Sequence, residues 1–65
     1  RDAGLFLEDI IEQIKLIGKS TEGVSKKEFL EDKDIQDATV RRLEIIGEAT
    51  KNIPAVIRRE YPKVE

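Results

Sequence analysis

The chain is 65 residues long, with 40% charged residues, a formal charge of −2 and no Cys, His, Met or Trp. That length allows at most one domain, burying only about 60% of the surface its unfolded chain exposes, and without Cys or His neither disulfides nor the common zinc sites can reinforce it. The near-balanced charge argues against a nucleic-acid stripe; no apolar run reaches the roughly 20 residues of a membrane span, and no signal peptide is visible.

The first predicted helix begins at Ala3 behind Asp2, a good N-cap. Phe6, Leu7, Ile10, Ile11, Ile14 and Ile17 recur at helical spacing and form its apolar stripe. Its acids come early and its lysines late, the order the helix dipole favours. Leu5 and Leu16 fall on the far side, as scattered exposed leucines do. Gly23, after Ser20-Thr21-Glu22, is the expected left-handed stop, and Gly18 weakens the helix before it.

Ser25-Lys26-Lys27-Glu28 has the form of a capping box, with Val24 and Phe29 placed as its hydrophobic staple. A short second helix from Lys26 to Glu31 is expected to turn the chain and set Phe29 and Leu30 on the core. Asp32 or Asp34 then caps the longest element, an amphipathic helix from Asp34 to Ile53, near 30 Å long at 1.5 Å per residue. Ile35, Ala38, Thr39, Leu43, Ile45, Ile46, Ala49, Thr50 and Ile53 line one side, with Asp37, Arg41, Glu44 and Glu48 on the other. Pro54 disfavours α conformation at Ile53, so the helix is expected to end at Asn52-Ile53-Pro54. A final short helix from Ala55 to Glu60 follows, opened by Pro54, burying Val56 and Ile57 and closed by Tyr61-Pro62. The fold class is all-α: an up-and-down bundle of two long antiparallel helices plus short helices. Small cores without staples seldom exceed about 3–5 kcal/mol, so dimerisation is expected to complete it.

Few of these residues point to chemistry. Asp37 and Arg41 form the acid-first i,i+4 pair, and with Glu44 and Glu48 their strip has the spacing of a solvated ion-pair ladder. Glu44 and Glu48 resemble half of a dicarboxylate metal site, but the bundle versions take Glu-x-x-His from partner helices, and with no His neither metal nor cofactor is expected. Arg42 stands inside the apolar stripe. Either it snorkels to water at the edge of the helix pair, or it marks a polar spot at a helix–helix seam, a dimer interface or the cleft beside one. Gly47, where Ala would be better by roughly 1 kcal/mol, suggests a close helix approach. The pairs Lys26-Lys27, Arg41-Arg42 and Arg58-Arg59 lack interleaved aromatics and belong to solvated surface. With no Gly-rich phosphate loop and no nucleophile–base pair, these residues contain no active site of their own.

The order of segments nevertheless resembles a family. LFLEDIIEQI, then TEGVSKKEFLEDKDIQDATVRRLEIIGEATKNIP, then a short helix ending in REYP, is similar to the HepT-like branch of the HEPN domains. The most specific parts are the TEGVS turn with its following helix, Gln36-Asp37-Ala38, and the run from Arg41 to Ala49. The resemblance implies a dimerising helical bundle that acts as a metal-independent RNase toxin of a prokaryotic toxin–antitoxin pair. The implied partner is a minimal nucleotidyltransferase antitoxin that adds adenylate to the toxin. Catalysis in the family is assigned to an Arg shortly followed by a His, on a helix after the segment that matches Tyr61-Pro62. The His serves as acid–base at the 2′-hydroxyl and the Arg holds the scissile phosphate.

Residues 1–65 are therefore expected to form a single partial domain without that helix, catalytically incomplete as given, in a cytoplasmic protein with no membrane partner. RNA is a partner only if the C-terminal part exists. Arg41, Glu44, Gly47 and Glu48 match supporting positions of the family, while Arg42 departs from the Asn common there. The five are expected to support a cleft or an interface. An alternative is a non-catalytic helical module that dimerises or engages a nucleotidyltransferase.

Overall fold

The computed structural model describes residues 2–60, and three helices account for nearly all of them. Helix α1 spans Ala3–Thr21, α2 spans Lys26–Glu31 and α3 spans Lys33–Glu60. Local signals set most of the boundaries. The Asp2 carboxylate accepts from the Leu5 N–H at 2.9 Å, and the Ser25 hydroxyl accepts from the Glu28 N–H at 3.1 Å. Only half of the capping box forms, since no bond returns from the Ser25 N–H to the Glu28 carboxylate among the described residues. Gly23 takes φ 72°, the left-handed stop that α1 needs. Asp32, not Asp34, caps α3, its carboxylate accepting from the Ile35 N–H at 3.1 Å.

Helix α3 differs from expectation at its far end. It runs unbroken through Pro54 and absorbs the separate final helix. Proline inside a helix removes one backbone bond and costs about 3 kcal/mol. Here Val56, two residues beyond, is buried to 4% exposure, with Ile53 and Ile57 half-buried beside it. Continuing the helix keeps those side chains in register with α1, and that packing overrides the local preference. The closing role of Tyr61-Pro62 lies outside the described residues.

The chain reverses at α2, so α1 and α3 pack as an antiparallel pair. From α1 the seam takes Phe6, Ile10, Gln13 and Ile17; from α3 it takes Ile35, Thr39, Arg42, Ile46, Ala49, Ile53 and Val56. Only Ala49 and Val56 are buried among the described residues. The apolar stripe expected of α1 is thus split: Leu7, Ile11 and Ile14 are 48%, 51% and 56% exposed. Leu43 of α3, at 55%, and Leu30 of α2, at 62%, also stand off the seam. Two helices in contact cover only one narrow strip of each other, so half of a wide stripe stays outside.

Candidate functional site

The polar centre of the molecule is Arg42. Its Nη1 donates to the Ser20 hydroxyl at 2.9 Å and to the Leu16 carbonyl at 3.2 Å, both near the end of α1. The Ser20 hydroxyl in turn donates to the Ile17 carbonyl at 3.2 Å, so one directed chain of bonds ties α3 to the last turn of α1. A cation beside the carbonyls of a helix C-terminus is also favoured by the dipole. Arg42 is half-buried at the α1–α3 seam, reaching across it rather than along its own helix to water.

The other four residues singled out from the sequence spread around α3. Arg41 and Glu48 share a polar face of the helix pair with Asp34, Asp37 and Asn52, opposite Asp9 and Glu12 of α1. Glu44 lies on the outer edge of that face and is exposed. The expected ladder is sparse: Asp37 and Arg41 do not pair, and Glu48 meets Lys51 at 3.8 Å with both side chains more than two-thirds exposed. Such a pair is worth little. Gly47 is exposed, and a Cβ built on it would meet nothing within 4 Å. The close approach its sequence position suggested is therefore not an α1–α3 contact.

Sequence reasoning missed two groups that the geometry uses. Ser20 sits at the edge of the α1 seam, 22 residues from Arg42, beyond the reach of any local spacing rule. Gln36 donates through Nε2 to the Phe29 and Leu30 carbonyls, both at 2.9 Å, closing the C-terminal end of α2. This gives a physical role to the first residue of the Gln36-Asp37-Ala38 segment. Among the described residues no group of three or more His, Cys, Asp or Glu could hold a metal ion, and no helix is long and apolar enough to cross a membrane.

Comparison with known proteins places this helix pair. The ribonuclease HepT-like family matches residues 10–65, most of the chain. The chain belongs to the HepT-like ribonuclease family. A protein of Thermococcus cleftensis named as a probable ribonuclease HepT is 49% identical over 59 residues, covering 91% of this chain and 54% of the relative. A candidate RNase of Methanocaldococcus jannaschii is 45% identical over 64 residues, covering 98% and 53%. Another, from Caldanaerobacter subterraneus, is 39% identical over 59 residues, covering 91% and 53%. The chain thus spans about half the length of these HepT-like relatives. No solved structure matches it.

Proposed function

We propose that these 65 residues are the N-terminal scaffold of a HepT-like ribonuclease toxin that works as a homodimer and is held in check by a minimal nucleotidyltransferase antitoxin. The family match over residues 10–65 carries this reading. The division of labour follows from chemistry. Cleaving RNA without a metal needs an acid–base group at the 2′-hydroxyl and a cation at the phosphate. The chain has arginines but no His, so the proton-transfer group belongs to the part of a full-length family member that this segment does not span. The scaffold contributes the Arg42 tie, which sets α3 against α1, and a polar face on which Arg41 and Glu48 border the cleft.

The test compares this chain with the full-length Thermococcus relative on single-stranded RNA in the presence of a chelator. The full-length protein is expected to cut, and the 65-residue chain to show no cleavage above buffer. Metal-free cleavage by the short chain would overturn the division of labour. Replacing the arginine that matches Arg41 by Ala in the longer protein should lower the rate by about tenfold or more, as loss of one electrostatic contact does. Unchanged activity would remove Arg41 from the cleft. If the full-length relative is itself inert yet binds a nucleotidyltransferase, the non-catalytic module becomes the better description.

A further inference from the structure

Helix α3 is held to α1 by unlike means along its length. In its first half Arg42 donates across the seam to the Ser20 hydroxyl at 2.9 Å and to the Leu16 carbonyl at 3.2 Å, and farther along Ala49 is buried. Beyond Pro54 one buried side chain, Val56, holds it, with Ile57 half-buried beside it; Ala55, Arg58, Arg59 and Glu60 are exposed. Between these two holds the helix is weak. Pro54 has no N–H, so the Thr50 carbonyl has no helical donor. The Thr50 hydroxyl donates back to the Ile46 carbonyl at 2.7 Å, an arrangement that loosens and bends helices. Gly47, whose side is open, falls with Thr50 and Pro54 on one stripe of α3 at spacings of three and four. A helix weakened along one stripe has one preferred direction of bending.

We infer that Pro54–Glu60 is a latch, which opens and closes on the first turns of α1 as a unit, pivoting at Thr50–Pro54 while the rest of the helix pair stays intact. Closed, it is the continuous helix of the structure, with Val56 in the seam. Open, the end of α3 leaves α1 and carries the cations of its last turn, Arg58 and Arg59, with it. The closed form gains the burial of Val56 and Ile57 and lacks a backbone bond at Pro54, so the segment belongs to the low-stability end of the molecule. An ordinary helix end frays residue by residue from its terminus. This one gives way at a fixed joint, and the joint sets the direction in which α3 hands on the chain. The latch does not depend on the ribonuclease reading or on association of the chain.

The experiment is amide hydrogen exchange of the 65-residue chain, read residue by residue by NMR across a series of low urea concentrations. A latch gives a step in protection. The Val56 and Ile57 amides should share one protection factor, at least ~10-fold below those of Ile46, Ala49 and Ile53, as a cooperative local opening requires. Their exchange should also respond less steeply to urea, because a partial opening exposes less surface. Pro54→Ala should remove the step, bringing Val56 to within about threefold of Ile53 once the missing bond is restored. Val56→Ala should deepen it by a further ~5-fold, while Arg42 and Ile46 stay within about twofold, as independent units do. The wild-type profile decides the matter even where a variant does not fold. Protection that declines smoothly inward from Glu60 is plain fraying and overturns the inference. One protection factor and one urea dependence along all of α3 overturns it too, since the pair is then a single cooperative unit, and so does a step that persists unchanged in Pro54→Ala.

Discussion

At the scale of single residues, Arg42 shows how a polar group in an apolar stripe is accommodated. The Arg stem packs along the seam while Nη1 reaches two acceptors on α1. Charge-assisted bonds contribute about 1.5–3 kcal/mol when enclosed, and less here because the seam is half open to water. Arg42→Met, which keeps the stem and removes the donors, should cost about 1–2 kcal/mol in urea unfolding at fixed protein concentration. A double-mutant cycle with Ser20→Ala should return a coupling of about 0.5–1 kcal/mol. No coupling would mean that the guanidinium spends its time in water. Its position was legible in the sequence as a cation among apolar neighbours; its partner was not, because Ser20 lies 22 residues away and no local rule pairs them.

At the scale of elements, capping chemistry and tertiary packing decide different things. Asp2, Ser25, Gly23 and Asp32 act on backbone groups within three residues, so their effects are visible in the sequence. Pro54 is the opposite case. Its preference to end α3 is real, yet burial of Val56 against α1 outweighs it. Pro54→Ala should therefore restore a helical bond without disturbing the seam, because Pro54 itself is exposed. The expected gain is about 2–3 kcal/mol, read as a higher thermal midpoint and a stronger helical signal in far-ultraviolet circular dichroism. An unchanged midpoint would show that the segment after Pro54 contributes little to the fold.

At the scale of the whole molecule, the helix pair is a slab of 48 × 18 × 15 Å with a radius of gyration of 15.3 Å. A compact chain of this length would have a radius of about 11 Å. The difference shows why only Ala49 and Val56 are buried among the described residues: one layer of two helices has a seam and two open faces. A second layer would supply that core, so stability should depend on association. The thermal midpoint of the chain is expected to rise with protein concentration, as mass action requires when only the folded state associates. A midpoint that does not move with concentration would place all of the stability within the single slab.

The sequence by itself determined the helical class, the starts of α1 and α2, the left-handed stop at Gly23 and the separation of polar from apolar positions. Each depends on neighbours within about one helical turn, where propensity, capping and periodicity act. The HepT-like resemblance was also legible, carried by motifs spread over nearly the whole chain. Only the tertiary structure decided that α3 passes Pro54, that Arg42 binds the end of α1, that Gln36 closes α2, and which half of the α1 stripe is covered. Those outcomes depend on which faces meet, and a helix wider in its apolar stripe than in its contact leaves that choice to the partner it packs against.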